Sequence, residues 1–422
     1  MVEPMWILPH DQPILAAIEA RGSAIVERAM EWCAINSGSR NIAGLRRMAE
    51  RLEQLLKAFP GETEVIALSP SRAVADSGEI RLEPHREAIR LTVRPEAPVQ
   101  VVLTGHYDTV YPADHLFQSV KTREDGALNG PGIADMKGGI STMLAALEAF
   151  EEHPDKDKVG YRVLLSPDEE IGSPGSAPLL AELGKFGHVG LIYESAQSDG
   201  TVAGERKGSG SFHIVVKGKA AHAGRNFASG RNAVVGAAGI ACALHELNGK
   251  HDGVTVNVGS ISGGSPVNVV PDIAVVRLNI RVPTQAAGQW VLGEIERITA
   301  AEPFSGHLGL KISLHGGFTR PPKPIDASQE ALFLALKEVG ELLGLPIQWK
   351  PSGGVCEGNN LHAAGVPNID NLGVRGGDLH SDNEYAWPKS FVERAQLSAL
   401  ILMKLASGEI DARRLKKLRV NA

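Results

Sequence analysis

The apolar positions of the first sixty residues recur at the three- to four-residue spacing of a buried helix face. They continue from Ile25 to Leu55, and a Ser-Gly-Ser segment at 37–39 interrupts them. Because glycine and serine clusters mark breaks between helices, the pattern predicts two helices within Leu15–Phe59.

Short apolar runs that are typical of buried strands come next, separated by one long run of small residues. The strand-like runs are Thr63–Leu68, Ala88–Val93, Gln100–Leu103, Gly160–Leu165 and Val189–Tyr193. The small-residue run, Gly138–Glu151, has no proline and predicts a buried helix. Strands that alternate with helices predict an α/β fold with a doubly wound, mostly parallel sheet.

The pattern changes near Lys207 and returns to the α/β type after residue 319. Between these points the predicted order is β-α-β-β-α-β, which is typical of a ferredoxin-like unit. Its elements are strand Ser209–Lys217, helix Asn232–Leu247, strands Val254–Ile261 and Ile273–Val282, helix Gln285–Thr299 and strand Leu310–Leu314, closed by a turn segment Gly316–Pro324.

The α/β pattern resumes behind this insert. It comprises helix Gln329–Leu343, strand Val366–Asn371 and a C-terminal helix around Ser390–Ala406. The sequence therefore predicts a discontinuous catalytic-type domain over residues 1–207 and 320–422, and an inserted lid over residues 208–319.

Composition excludes several classes of protein without yet indicating an enzyme. Of the 422 residues, 43% are hydrophobic and 22% are charged, as in ordinary globular proteins. The 43 Lys and Arg residues against 49 Asp and Glu argue against a nucleic-acid-binding surface. Cys33, Cys242 and Cys356 are far apart, so neither a disulfide framework nor a cysteine-based zinc site fits.

The chain also carries no pattern of a targeting segment or membrane span. Residues 1–21 lack a basic stretch followed by an apolar one. The longest nearly apolar run, Ala233–Leu244, has twelve residues, whereas a helix needs about 20 to cross a bilayer. We therefore expect a cytoplasmic protein with neither membrane nor nucleic-acid partners.

Polar side chains follow several of the predicted strands, at the sheet edge where open parallel sheets bind their ligands. They are His106, Asp108, Asp168, Glu169, Glu170, Glu194, Asp378 and His380. Asp135 lies in a glycine-containing segment that leads into the helix Gly138–Glu151. Two histidines with several carboxylates and no thiolate suit zinc, with cobalt or manganese as alternatives.

The spacing of these residues also suggests how they divide the chemistry. His106 and Asp108 are two residues apart, so their side chains point the same way from an extended backbone. Asp108 can then fix the imidazole by accepting its hydrogen bond, which a metal-bound histidine usually requires. Glu169 and Glu170 are adjacent, so one can bind a metal while the other acts as a base.

Seven motifs in order resemble the co-catalytic zinc metallopeptidase family of carboxypeptidase G, aminoacylase, acetylornithine deacetylase and succinyl-diaminopimelate desuccinylase. The motifs are GHYDTVYP (105–112), NGPGIADMKGG (129–139), SPDEEIGSPGS (166–176), ES (194–195), GKAAHAG (218–224), NVVPD (268–272) and HSDNEY (380–385). They extend from about residue 100 to near the C-terminus, and they are most similar to the carboxypeptidase G branch. The resemblance implies a catalytic domain of the zinc-exopeptidase type.

The resemblance implies two zinc ions per subunit, with cobalt or manganese as alternatives, and assigns their ligands. Asp135 would bridge both ions. His106 and Glu194 would complete the protein ligands of one ion, and Glu170 and His380 those of the other.

The same resemblance assigns the catalytic roles. Glu169 would be the general acid and base, and Asp108 would support His106. The lid residue His222 would help to hold the oxyanion and would commonly come from a partner subunit. The peptide between Asp135 and Met136 would be cis.

Substrate contacts are implied at Asn268, Arg281 and Arg320, which match family positions near the substrate carboxylate. The sequence departs from the branch at 353–357, which reads Gly-Gly-Val-Cys-Glu where branch members carry Gly-Gly-x-Ser/Thr-Asp. Cys356 in place of the hydroxyl residue and Glu357 in place of Asp would therefore change the floor of the substrate pocket, while all ligand positions remain intact.

The leading hypothesis is a metal-dependent hydrolase that cleaves an amide or peptide bond next to a free carboxylate, in a small molecule or short peptide. A deacylase for small N-acyl amino acids shares this mechanism, and a non-catalytic relative that binds a peptide or metabolite is the alternative of another class. The retained Glu169 favours catalysis. Neither a G-x-S-x-G elbow nor a nucleotide-binding glycine motif occurs.

The lid also predicts a homodimer. Its helix Asn232–Leu247 carries more apolar surface than one sheet face needs to cover. Pairing through the lid about a two-fold axis would bury this surface and bring His222 near the partner's metal ions. A monomer whose apolar run packs within its own lid is the alternative.

Overall fold

The computed structural model describes residues 5–301 and 309–420, so the residues 1–4, 302–308, 421 and 422 of the two predicted units lie outside it. The helices are α1 (Gln12–Ala20), α2 (Gly22–Cys33), α3 (Ile42–Leu56), α4 (Gly138–Phe150), α5 (Ala177–Leu183), α6 (Ala233–His245), α7 (Gln285–Ala300), α8 (Ala327–Leu342), α9 (Glu357–Ala363), α10 (Pro388–Ser407) and α11 (Ala412–Val420).

The strands range from two to ten residues. They are β1 (Glu62–Ile66), β2 (Ser71–Val74), β3 (Ile80–Glu83), β4 (Ala88–Val93), β5 (Val99–His106), β6 (Lys121–Thr122), β7 (Leu128–Asn129), β8 (Val159–Ser166), β9 (Val189–Ile192), β10 (Ala196–Gln197), β11 (Val202–Arg206), β12 (Gly208–Lys217), β13 (Ala221–His222), β14 (Thr255–Gly263), β15 (Val269–Val270), β16 (Ile273–Val282), β17 (Lys311–Arg320), β18 (Trp349–Ser352), β19 (Asn368–Ile369), β20 (Arg375–Gly377) and β21 (Tyr385–Ala386).

The catalytic unit is built on a six-stranded sheet in the order β1-β4-β8-β5-β9-β19. Strands β8, β5, β9 and β19 run parallel to one another, whereas β4 pairs antiparallel with both β1 and β8. The predicted α/β fold with a mostly parallel sheet is therefore confirmed. The antiparallel edge follows from the β2–β3 hairpin, which returns the chain between β1 and β4.

Helices cover both faces of this sheet, because successive residues of its central strands point to opposite sides. Val101 and Leu103 of β5 belong to the large core that α1–α4 and α10 complete. Val102 between them joins a smaller core with Leu180 of α5 and Leu361 of α9. The carboxyl ends of β5, β8 and β9 lie together at one edge of the sheet.

The lid is a four-stranded antiparallel sheet in the order β14-β16-β12-β17, with α6 and α7 packed on one face. This is the strand order of the predicted ferredoxin-like unit. The predicted turn at Gly316–Pro324 is wrong in its first half, because β17 continues through Arg320. Gly316 has a φ of +92°, so the glycine that suggested a turn instead lets the paired strand bend.

A hairpin of the catalytic unit covers part of the other face of the lid sheet. Val74 of β2 packs against Val215 and Val275 of the lid. Asp76, in the hairpin turn, forms an ion pair with Arg277, in which Oδ1 lies 2.8 Å from Nη2. This contact was not predicted, since the strands of the hairpin have only four residues each.

The two chain crossings between the units lie side by side. Arg206, which leads into the lid, forms an antiparallel bridge with Lys323, which follows the return from it. Ahead of the sheet, three helices form rather than the predicted two, because the chain also breaks at Arg21, between α1 and the start of α2 at Gly22. Within the described ranges no helix is both long and apolar enough to cross a membrane.

Candidate metal centre

The side chains that meet at the carboxyl ends of these strands come from five separate segments. His106 is the last residue of β5, and Glu169 and Glu170 form a short helical turn just after β8. Glu194 follows β9, and His380 follows β20. Asp135 lies in the turn that opens α4. The fold thus brings together every residue that the sequence predicted as a metal ligand.

Asp135 lies between the two histidines. Its Oδ1 is 3.1 Å from Nε2 of His106, and its Oδ2 is 3.2 Å from Nε2 of His380. Glu194 Oε1 is 3.7 Å from the His106 ring, and Glu170 Oε2 is 3.3 Å from the His380 ring. The five residues therefore form two groups of three that share Asp135, with the ligand atoms of each group within 4.8 Å of one another.

This donor set fits a pair of divalent cations. Two imidazoles and three carboxylates are the ligands that zinc, cobalt and manganese accept. Burial and the charge of Asp135 raise the pKa of Glu194 to about 8 and also raise that of Glu170. Buried carboxylates that repel each other in this way are compensated when cations lie between them.

The histidines respond to the same charges in the opposite direction. Burial disfavours the imidazolium of His106, but Glu194, Asp108 and Asp135 together raise its pKa. Hydrogen bonds to Asp135 and Glu170 raise the pKa of His380 to about 11. Protons on these rings therefore occupy the place of cations, and metal binding would displace them.

The turn that carries Asp135 is fixed by a residue that the sequence analysis did not single out. Glu384 is buried and accepts hydrogen bonds from the backbone N–H groups of Gly132, Ala134 and Asp135 at 3.1, 2.9 and 3.0 Å. The Asp135–Met136 peptide is cis, which confirms the expectation from the resemblance. Glu384 belongs to the HSDNEY motif, so its place beside His380 was the available signal.

Asp108 connects the histidine to the glutamate turn. Its Oδ1 lies 3.3 Å from Nδ1 of His106. The same carboxylate accepts the backbone N–H groups of Glu169 at 3.1 Å and Glu170 at 3.2 Å, and the hydroxyl of Ser39 at 2.7 Å. It is fully buried, so it holds both ligand segments in one arrangement.

Glu169 faces the centre without belonging to either ligand group. Its Oε1 accepts a hydrogen bond from Nη2 of Arg320 at 2.6 Å. Arg320 is 1% exposed and also donates to Asn360 at 2.7 Å and to Ser173 at 2.8 Å. The guanidinium predicted to meet a substrate carboxylate is therefore held against the predicted general base.

The other predicted substrate and lid residues lie away from this cluster in the described chain. His222 is exposed, and its Nδ1 accepts from the backbone of Gly224. Asn268 is exposed on the neighbouring loop. Arg281 is half-buried on β16, where its Nε donates to Asn279 at 3.0 Å. All three belong to the lid.

Cys356 does not line the cavity at the centre. It is 1% exposed and caps α9, and its thiol donates to Asp370 at 2.8 Å. Asp370 in turn lies 2.5 Å from Nε of Arg206, which is in the cavity wall. Cys356 is therefore linked to the cavity wall by a chain of two contacts, from its thiol to Asp370 and from Asp370 to Arg206.

A cavity of about 350 Å³ opens at the cluster. Asp135, Glu170, Glu194 and His380 line it together with Arg206. Arg206 is only 8% exposed and is paired with Asp370. The cavity thus combines the acidic cluster with a buried guanidinium.

The sequence model of peptidase family M20/M25/M40 matches residues 102–404. Carboxypeptidase G2 of a Pseudomonas species is 25% identical over 413 residues, which cover 95% of this chain and 94% of that protein. A succinyl-diaminopimelate desuccinylase of Nitrosococcus oceani is 25% identical over 307 residues, 69% of this chain and 80% of that one. The crystal structure of an M20 metallo-carboxypeptidase from Sulfolobus solfataricus superposes with a TM-score of 0.68 at 17% identity, over 94% of this chain and 99% of that chain.

Proposed function

Because the chain belongs to peptidase family M20/M25/M40, a family of metal-dependent peptidases and amidohydrolases, we propose that it is a dinuclear zinc hydrolase for amides next to a free carboxylate. The observation that carries this proposal is Asp135, with one oxygen toward each histidine and one glutamate beside each ring. Two bound zinc ions would lower the pKa of a water, polarise the scissile carbonyl and stabilise the oxyanion.

The residues of the chain would position and deprotonate the attacking water. Glu169 faces the cluster and is not needed as a ligand, so its carboxylate is free to take the proton and later to give it to the leaving nitrogen. Arg320 fixes one Glu169 oxygen, which leaves the other to face the substrate. Any contact that Arg320 makes with a substrate carboxylate is thus made by a group that also holds the base.

The substrate carboxylate would meet arginine and amide groups of the cavity and of a lid. Arg206, which is paired with Asp370, lines the cavity, and Arg281 and Asn268 would approach from a lid. A guanidinium recognises a carboxylate by two parallel hydrogen bonds. This supports an exopeptidase or an N-acyl-amino-acid hydrolase, which matches the carboxypeptidase and desuccinylase among the relatives.

The site also supports a homodimer. His222 is exposed, and among the described residues its hydrogen bonds and strand pairing are made with Gly224 and Val269 of the lid, so we expect its oxyanion role to be performed at the centre of another subunit. A second copy that pairs through α6 and the edge strand β14 would present its own His222 to this centre. We propose that the two subunits share each active site in this way.

The function is tested by hydrolysis of a panel of dipeptides and N-acyl amino acids after chelation and addition of Zn²⁺, Co²⁺ or Mn²⁺. Compounds with a C-terminal Glu or Asp head the panel, each beside its C-terminal amide. We expect metal-dependent cleavage of the free acids, and a preference for peptides or for acyl compounds identifies the substrate class. Equal cleavage of the amides would contradict carboxylate recognition.

Glu169→Gln serves as the matched variant in the same assay. It should lower kcat by about 10²–10⁴-fold because the base is lost, while bound metal measured by mass spectrometry stays at the wild-type level. His380→Ala should instead lose metal, and His115→Ala, outside both ligand groups, should change neither quantity. Retained activity in Glu169→Gln would exclude it as the base.

A further inference from the structure

Arg320 is the last residue of the lid strand β17, but its guanidinium lies among residues of the catalytic unit. Nη2 donates to Oε1 of Glu169 at 2.6 Å and to Oγ of Ser173 at 2.8 Å, and it makes a longer contact of 3.4 Å with the backbone oxygen of Glu169. Nη1 donates to Oδ1 of Asn360 at 2.7 Å. Arg320 is only 1% exposed, so these three residues enclose a buried cation.

These contacts use the hydrogens with which a guanidinium binds a carboxylate. Two parallel hydrogen bonds to a carboxylate come either from Nη1 and Nη2 or from Nε and Nη2, so both arrangements need a hydrogen of Nη2. Nη2 carries two hydrogens, and Glu169 and Ser173 accept them. The Nε atom is buried without a hydrogen-bond partner among the described residues. Arg320 therefore has no pair of neighbouring donors left for a substrate carboxylate.

Moving Arg320 from Glu169 to a substrate would also cost free energy. The side chain of Glu169 is 11% exposed, and loss of the ion pair would leave this nearly buried carboxylate without a cation. A second carboxylate brought to the same guanidinium would in addition repel Glu169. Both effects favour an Arg320 that stays on Glu169 when a substrate binds.

The backbone of Arg320 is also attached to the catalytic unit. Three residues further along the chain, Lys323 forms the bridge with Arg206 at the crossing between the units. One residue before Arg320, the backbone oxygen of Thr319 accepts a hydrogen bond from Nδ2 of Asn360 at 3.0 Å. The catalytic unit thus fixes both the guanidinium and the stretch of chain that carries it.

Arg281, on the lid strand β16, differs from Arg320 in having no counter-charge. It is half-buried, and its Nε donates to the amide oxygen of Asn279 at 3.0 Å rather than to a carboxylate. Burial lowers the pKa of Arg281, and no acidic side chain among the described residues offsets this effect. Of the two arginines that the resemblance assigns to the substrate, Arg281 is therefore the one whose charge is unmatched.

We infer that Arg320 is a positioning residue for the general base and makes no contact with the substrate carboxylate. It holds Oε1 of Glu169 so that Oε2 faces the attacking water, while Ser173 and Asn360 hold the guanidinium in turn. Recognition of the free carboxylate belongs to other residues of the lid and of the cavity. This inference rests on the proposed function, in which Glu169 is the base.

The first test combines Arg320→Lys with Glu169→Gln. Lysine keeps the charge, but its single ammonium group cannot reproduce the planar set of donors that bonds Glu169, Ser173 and Asn360. We expect Arg320→Lys to lower kcat at least tenfold in the wild type and less than twofold in Glu169→Gln, because residues that act through one group are not additive. Equal effects in both backgrounds, or an unchanged kcat in the wild type, overturn the inference.

The second test compares a substrate that ends in Glu with its C-terminal amide. Arg320→Lys should lower kcat/KM for both compounds alike, so that the preference of wild type for the free acid is kept within twofold. Arg281→Lys, the same substitution on the lid, should reduce this preference at least fivefold. A preference that disappears in Arg320→Lys and survives in Arg281→Lys overturns the inference.

Ser173→Ala tests the same contact where Arg320→Lys does not fold, since it leaves the guanidinium in place and removes one acceptor of Nη2. It should lower kcat at least threefold without a change in KM. An unchanged kcat overturns the inference.

Crystal structures of the wild type and both variants give a readout that needs no substrate. We expect one position of the Glu169 carboxylate in the wild type, and a displaced or divided position in Arg320→Lys and Ser173→Ala. An unchanged position in both variants overturns the inference. Equal cleavage of acid and amide by the wild type would instead contradict the proposed function, and the crystal structures would still decide whether Arg320 positions Glu169.

Discussion

His362 illustrates, at the scale of one residue, how burial changes the behaviour of a titratable side chain. Burial, with the charges of Arg419 and Lys323, lowers its pKa from 6.5 to about 3. In the unfolded chain the imidazole binds a proton below pH 6.5, whereas in the folded chain it stays neutral down to about pH 3. Folding therefore becomes less favourable as the pH falls through this range.

We expect the metal-free wild type to lose stability between pH 6.5 and pH 4 more steeply than His362→Gln. The difference in slope can reach about 1.4 kcal/mol per pH unit, the value for one proton. It is measured by urea unfolding at a series of pH values, with the exposed His245→Gln as the control for the substitution itself. Parallel curves for wild type and His362→Gln would show that the folded protein protonates this ring normally.

Single residues were predictable from the sequence where a strand end fixed their position. His106, Glu170 and Glu194 follow buried strands directly, so their convergence follows from the topology of a parallel sheet. The partners of Arg320 and Cys356 were not predictable in this way. Both depend on which buried side chain lies opposite, and that is set by packing between segments far apart in the chain.

At the scale of the elements, α6 begins at a residue that the pattern identified. Asn232 is its N-cap, and its side chain accepts a hydrogen bond from the backbone N–H of Val235 at 3.1 Å. The apolar run predicted the helix, and the asparagine in front of it predicted where the helix begins. The β2–β3 hairpin was missed because four-residue strands with exposed charges carry too few apolar positions to show a period.

Asn232→Ala should destabilise the protein by about 1 kcal/mol, because one amide of the first turn of α6 loses its partner. Asn232→Asp retains an acceptor at the same place and should stay close to wild type. Thermal unfolding of the three proteins, loaded with the same metal, measures the difference. If Asn232→Asp is as unstable as Asn232→Ala, the hydrogen bond to Val235 is not the cause.

At the scale of the whole molecule, one face of α6 is left uncovered by the described residues. Val235 is 55% exposed, and the exposed Ala238 and Cys242 follow at spacings of three and four residues. These positions form a stripe along the helix, next to the edge strand β14. The apolar run therefore supports the proposed dimer, although its other positions are buried within the lid.

Ala238→Arg should convert the dimer to a monomer, because a charge in the middle of this stripe would be buried without a partner. Light scattering should give the 44.8 kDa of one chain for this variant and twice that mass for wild type. Gly293→Arg adds the same charge on the open side of α7 and should remain dimeric. A monomeric wild type would contradict the dimer.

The shared site has its own test in hybrid dimers. His222→Ala and Glu169→Gln should each be inactive as homodimers. After subunit exchange, one site of the hybrid would combine an intact Glu169 with an intact His222 of the partner subunit, so activity should return. Absence of recovery, with exchange verified by native mass spectrometry, would place the action of His222 within its own subunit.

The two adjacent chain crossings, at Arg206 and Lys323, have a mechanical meaning for the lid. A body attached to another at two neighbouring points keeps one easy rotation, about the line that joins them. The hairpin contact of Val74 and Asp76 with the lid sheet is a third attachment at another place. This third contact restrains the rotation. A change in the angle between lid and catalytic unit therefore requires that the hairpin bends with the lid or that Asp76 releases Arg277.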